Sequence, residues 1–186
     1  LYEVLFKQAS NVQSTELRNS MSLYDLFTDD EIYDLWLINN AWRYINYGAC
    51  PLNGGNQPYS QRNLLRKIIS DADSCIALPH PGVTLRYGHD TMVMPLTCLM
   101  DLDEMGMQVS DLEQLAYKGW NNYRIFPMAC NIQFVFYHKK GSKDILVKVL
   151  RNENEATLPI KTDIAPYYHW KDVRQYYLDK LNKFTE

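Results

Sequence analysis

The stretch from Val83 to Leu96 constrains this chain more than any other. Val83-Thr84-Leu85-Arg86-Tyr87-Gly88 is a short run of β-branched and aromatic character that stops at a glycine. His89-Asp90-Thr91 follows, and Met92-Val93-Met94-Pro95-Leu96 then has helical character. A strand that turns directly into a helix is the unit of open α/β sheets, and such sheets place their sites at that junction. The pattern therefore predicts an α/β protein with functional side chains at residues 89 to 91.

The junction suits an anion on elementary grounds. The first N–H groups of a helix lack internal partners and carry partial positive charge. The imidazole of His89 adds a donor, and a bound phosphate dianion would help the neighbouring Asp90 carboxyl keep a proton for a leaving group. The combination points to phosphate ester cleavage with Asp90 as general acid. The same residues also have structural uses: Asp and Thr are good N-caps, a strand-end His is often structural, and a three-residue motif is weak alone. Arg86, on one face of the expected strand, is a candidate anion contact, although an Arg in that setting more often pairs at the surface. Thr91 offers its N–H and hydroxyl either to phosphate or to the helix start.

Composition excludes several classes. With 186 residues and a formal net charge of −3 there is no basic footprint for nucleic acid. No run approaches a membrane span, and no N-terminal stretch has the layout of a signal peptide. The cysteines, Cys50, Cys75, Cys98 and Cys130, form no C-x-x-C pair, which argues against a zinc ribbon and leaves any disulfide pairing open. The 14 tyrosines serve as core filler or as cleft walls.

Thr28-Asp29-Asp30-Glu31 fits a capping box and predicts a long amphipathic helix from about Asp29 to Tyr47, ended by Gly48. After a loop rich in turn formers, a second helix is expected from Tyr59 to about Ile76. Ile132–His138 and Asp144–Leu150, separated by Gly141-Ser142, read as a hairpin, and Trp170–Phe184 as a closing helix. The expected organisation is a mostly helical part over residues 1–78 and an α/β part over 79–186. On spacing, His80, His138 and His169 are structural or exposed, Arg43 is a solvated helical arginine, and Asp101-Leu102-Asp103-Glu104 is a solvated acidic turn.

Taken together, Leu85-Arg86-Tyr87-Gly88-His89-Asp90-Thr91-Met92-Val93-Met94-Pro95-Leu96 resembles the second signature of the histidine acid phosphatases, the branch 2 histidine phosphatases. Phe126-Pro127-Met128-Ala129-Cys130-Asn131, with the strand after it, resembles a segment of the multiple inositol polyphosphate phosphatase group. Leu26-Phe27-Thr28 and the helix to Gly48 are similar to that group's α-domain, and the resemblance gives Arg43 on that helix a second reading, since the α-domain there looks toward polyanionic substrates. The resemblance implies a histidine phosphatase fold and hydrolysis of phosphomonoesters, inositol polyphosphates such as phytate first, through a phosphohistidine. In that scheme His89 binds phosphate, Asp90 donates the proton, and Thr91 and Arg86 contact substrate. It implies no cofactor, since the phosphohistidine route replaces a metal-activated water, and a periplasmic or extracellular location.

The family's nucleophile stands in an Arg-His-Gly-x-Arg-x-Pro motif. The four histidines here follow Pro79, Gly88, Tyr137 and Tyr168, so the chain has no Arg-His pair. The expectation is a C-terminal portion whose partners are a phosphorylated small molecule and the missing N-terminal part of the same protein, with no turnover of its own. The inositol polyphosphate group usually has His-Ala-Glu where this chain has His89-Asp90-Thr91, a shift of the acid that bears on which phosphate is cleaved. The rival readings are a non-catalytic binding or scaffold module and a general acid phosphatase. A Ser or Cys hydrolase ranks last, because no G-x-S-x-G elbow is present.

Overall fold

The computed structural model describes residues 1–185, in two compact units that divide after Ala41. In the first unit α1 (Tyr2–Val12) is held by aromatic edges: the Tyr2 and Phe6 rings lie 5.3 and 5.7 Å from Phe27, and Phe6 lies 5.9 Å from Tyr24. Helix α2 (Asp29–Tyr47) starts where its sequence predicts. The Thr28 N–H donates to Glu31 Oε2 at 2.8 Å and the Glu31 N–H donates to Thr28 Oγ1 at 3.3 Å, a reciprocal capping box. The unit boundary falls within α2.

The second unit contains α3 (Arg62–Ile76), α4 (Asp90–Met100), the short α5 (Asn122–Ile125) and α6 (Trp170–Lys183). Its sheet consists of β1 (Ile132–His138), β2 (Ile145–Arg151), β3 (Asn154–Glu155) and β4 (Tyr168–His169). Strand β2 pairs antiparallel with the other three, and the β1–β2 register runs from Ile132 opposite Arg151 to His138 opposite Ile145. The hairpin and closing helix stand where the sequence places them. The strand expected at Val83–Gly88 does not form. That segment is irregular and exposed, with Val83, Leu85 and Tyr87 at 79, 66 and 92 %. A strand needs a ladder partner, and no described strand lies beside this one. The division expected after Leu78 falls inside this second unit, where α3 packs into the same core as the sheet.

Helix α4 lies between two apolar cores. Leu96, Leu99 and Met100 join Leu65 and Ile69 of α3, Val147 and Val149 of β2, and Val173, Tyr177 and Leu181 of α6. Met94 and Cys98 join Tyr44, Val109, Leu115, Trp120 and Ile125. Each large side chain so buried contributes roughly 1.5–3 kcal/mol relative to exposure. Pro95 leaves one helical bond unmade, and the Thr97 hydroxyl donates to the Val93 carbonyl at 2.9 Å in the same turn. Two side chains of α6 satisfy carbonyls at the far end of α4: Tyr177 Oη donates to Met100 at 2.8 Å and Lys180 Nζ to Leu99 at 2.7 Å. The expected acidic turn after α4 is not simply solvated. Asp101 Oδ1 accepts from the Gly106 N–H at 2.8 Å, and Asp103 pairs with Arg151 at 2.7 Å.

Gly48 is required where α2 ends, because a Cβ there would lie 2.5 Å from Tyr44 Cδ2 and 2.8 Å from the Tyr44 carbonyl oxygen. Among the described residues, no helix is long and apolar enough to cross a membrane, and no group of three metal-ligating side chains is assembled.

Burial raises Cys98 from an ordinary 9.0 to about 12 and Tyr44 from 10.0 to about 12. Both groups are neutral in the native state at a pH where the unfolded chain ionises them. Their contribution is complete below the unfolded values and is lost as pH rises through the native ones. The melting temperature should therefore fall as pH rises above 9, and fall less steeply in Cys98→Val. Identical profiles for the two proteins would contradict this.

Candidate active site

Asp90 is the first residue of α4, and His89 is its N-cap in an extended conformation with φ −109° and ψ 164°. His89 is exposed and its side chain makes no capping hydrogen bond. The two groups singled out in the sequence therefore stand consecutively at one open helix end. Thr91 occupies the same first turn and is half-buried. Because α4 is fixed by two cores behind Asp90, this end of the helix is a stiff mount.

Facing Asp90 is a residue that the sequence left in solvent. Arg43, near the end of α2, places Nη1 3.2 Å from Asp90 Oδ2, with the two side chains 25 and 38 % exposed. Three rings surround the guanidinium carbon: Phe126 at 5.1 Å, Trp42 at 5.5 Å and Tyr47 at 5.9 Å. Arg43 Nε is buried and has no hydrogen-bond partner. Planarity and weak hydration let an arginine, unlike a lysine, sit in such a cage and still present an edge of donors. The Trp42 and Tyr47 neighbours on the same helix were a visible signal, whereas Phe126 comes from a distant segment.

Cys130 completes this side of the site. Burial pushes its thiol above the ordinary cysteine value, and the negative charge of Asp90 pushes it further in the same direction. Arg86 is engaged elsewhere: its guanidinium pairs with Asp71 of α3. A hydrogen bond from Lys67 Nζ, 2.5 Å away, with the charge of Arg86, holds the Asp71 carboxyl below its ordinary value. A second concavity of about 510 Å³ lies against Asp103, Arg124, Arg151 and Glu153. Arg151 there pairs with Asp103, and Glu153 Oε1 accepts from Asn131 Nδ2 at 2.6 Å.

Arg43 and Asp90 form a cation–carboxylate pair at a helix N-terminus, with an exposed imidazole alongside. Such an arrangement can exchange the carboxylate for an incoming oxyanion, because guanidinium, imidazole and helix N–H groups are all donors.

The fold is that of the histidine phosphatases. The chain superposes on the Bifidobacterium longum multiple inositol polyphosphate phosphatase in its complex with inositol hexasulfate, with a TM-score of 0.76 and 19 % identity over 93 % of this chain and 37 % of that one. The apo form of the same enzyme gives 0.71 at 22 % identity, over 84 % of this chain and 34 % of that one, and its phosphate complex gives 0.67 at 23 %, over 80 and 32 %. Among curated proteins, multiple inositol polyphosphate phosphatase 1 of Gallus gallus is 27 % identical over 122 residues, which are 63 % of this chain and 27 % of that protein. The chain thus resembles the multiple inositol polyphosphate phosphatase group and spans 27 to 37 % of the length of these relatives. No family model matches it.

Since the charge of Asp90 raises the Cys130 thiol, Asp90→Asn should lower it, increase the thiolate fraction and accelerate alkylation by iodoacetamide at pH 8. An unchanged rate in a folded variant would place Asp90 and Cys130 out of electrostatic contact.

Proposed function

We propose that these residues form part of a histidine-type phosphomonoesterase acting on inositol polyphosphates. The observation that carries this reading is the Arg43–Asp90 pair at 3.2 Å, beside an exposed His89, at the start of a buried helix. The resemblance to multiple inositol polyphosphate phosphatases supports the substrate class.

In the proposed mechanism an incoming phosphate takes donors from Arg43, His89 and the first turn of α4, where Thr91 adds its N–H and hydroxyl. The dianion competes with Asp90 for the guanidinium, which frees the carboxyl to face the ester oxygen. A histidine supplied from outside these 186 residues attacks phosphorus and forms the N–P bond as the P–O bond to the alcohol breaks. Freed from the guanidinium and beside the phosphate's negative charge, the Asp90 carboxylate takes up a proton from solvent and gives it to the departing oxygen, so the alcohol leaves neutral. Water then attacks the phosphohistidine, the N–P bond breaks, and Asp90 takes back a proton. A positioned general acid contributes roughly 10²- to 10⁴-fold. The aspartate is shorter than the glutamate of His-Ala-Glu and stands one residue earlier, a shift that bears on which phosphate of the ring meets the donor. In this reading Arg86 contacts substrate only after leaving Asp71.

A non-catalytic anion-binding module is the alternative; the lack of an Arg-His pair within these residues suits it and suits equally a nucleophile supplied from outside them. Both readings require anion binding, and only the first requires proton donation. Inorganic phosphate should bind the wild-type chain, and His89→Ala and Arg43→Ala should each weaken it by about tenfold or more, the effect of one charge-assisted hydrogen bond. Calorimetry showing undiminished affinity in both variants would refute the site. In a protein that also supplies the nucleophilic histidine, Asp90→Asn should slow hydrolysis of alkyl phosphates far more than of activated aryl phosphates. Equal slowing would leave only the binding module.

A further inference from the structure

Behind the site, one side chain holds both ends of the segment that carries Phe126 and Cys130. Asn152 Nδ2 donates to the carbonyls of Arg124 and Ile125, each at 3.2 Å, just before that segment. Asn152 Oδ1 accepts from the N–H of Asn131 at 3.0 Å, just after it, and the Asn152 N–H donates to the Asn131 carbonyl at 3.0 Å. The neighbour Glu153 adds a charged bond, its Oε1 accepting from Asn131 Nδ2 at 2.6 Å. The other donor contact of that amide is the Ala129 carbonyl at 3.1 Å, so it ties the interior of the segment as well. Arg151 Nη1 donates to the Arg124 carbonyl at 2.8 Å and is itself anchored on Asp103.

The turn that supplies this clasp departs from local preference. Arg151 and Asn154 are paired across β2 and β3, so Asn152 and Glu153 form a two-residue hairpin loop with φ of 50° and 62°. Positive φ at both positions suits Asn followed by Gly. Asn tolerates the left-handed region through its own side-chain hydrogen bonds, whereas a glutamate there is strained. The glutamate makes one contact that a glycine cannot, the bond to Asn131.

We propose that Asn152 and Glu153 are positioning residues for the Arg43–Asp90 site. They clasp the Phe126–Cys130 segment so that the Phe126 ring covers the guanidinium of Arg43 and Cys130 closes the side next to Asp90. This inference rests on the functional reading above for its purpose, but the clasp has readouts of its own.

The decisive variants are Glu153→Gly and Asn152→Gly, which suit a positive-φ turn and so keep the hairpin. Glu153→Gln, which keeps the acceptor, is the rescue. Two local readouts are the nuclear Overhauser contact between the Phe126 ring and the Arg43 side chain, and the iodoacetamide rate of Cys130 relative to buried Cys50 and Cys98. The glycine variants should lose the contact and raise the Cys130 rate about tenfold, with Cys50 and Cys98 unchanged. Glu153→Gln should behave as wild type. Affinity for inorganic phosphate should fall with the contact in Asn152→Gly. Wild-type contact and rate in both glycine variants would overturn the proposal, as would acceleration of all three cysteines in step, which reports general loosening. If the wild-type chain failed to bind phosphate, the functional reading would fall, and the clasp would still be judged by its contact and its thiol rate.

Discussion

The burial of α4 on two sides is the constraint from which the rest of the site follows. From Met94 to Met100 every residue of this helix is buried, some against α3, β2 and α6 and others against the core around Tyr44 and Trp120. Its C-terminal carbonyls are held by Tyr177 and Lys180. A helix fixed in this way cannot rotate or slide without opening cavities in both cores. The open end therefore presents His89 and Asp90 at a set place, and a flexible loop could not do this at comparable precision. The proposed site lies at the first turn of the helix, which is outside the buried run.

Around that turn, electrostatics and aromatic packing act together. Three rings pack around the Arg43 guanidinium while its edge meets Asp90. A solvated arginine would lose rotamer freedom on meeting a ligand, whereas this one has already lost it on folding. Preorganisation of that kind favours a ligand that replaces the carboxylate oxygen with its own.

The sequence made the local elements legible because their signals are local. The Thr28–Glu31 capping box, the end of α2 at Gly48, the β1–β2 hairpin and α6 all rest on contacts within a few residues or one turn, and the structure has each of them. Val83–Gly88 misled because β-branched and aromatic character reports a capacity to pair and does not supply a partner. Arg43 was misread for a related reason. Its place on α2 was clear, but Phe126 and Asp90, which bring it out of solvent, come from segments far along the chain. Asp103 was taken for part of a solvated turn, yet Arg151 and the Thr157 N–H claim its carboxylate from across the sheet. The adjacency of His89 and Asp90 was visible as a motif, whereas the cation opposite Asp90 belongs to tertiary structure.

The central claim is that an oxyanion enters between Arg43 and His89 and displaces Asp90 from the guanidinium. The most direct measurement is a nuclear magnetic resonance titration with inorganic phosphate that follows the Arg43 Nε–H, which is buried and without a partner, together with the His89 ring. The account predicts that both signals move along one saturation curve with a shared midpoint. Phosphate that shifts neither, or that moves His89 while Arg43 stays fixed on Asp90, would contradict it.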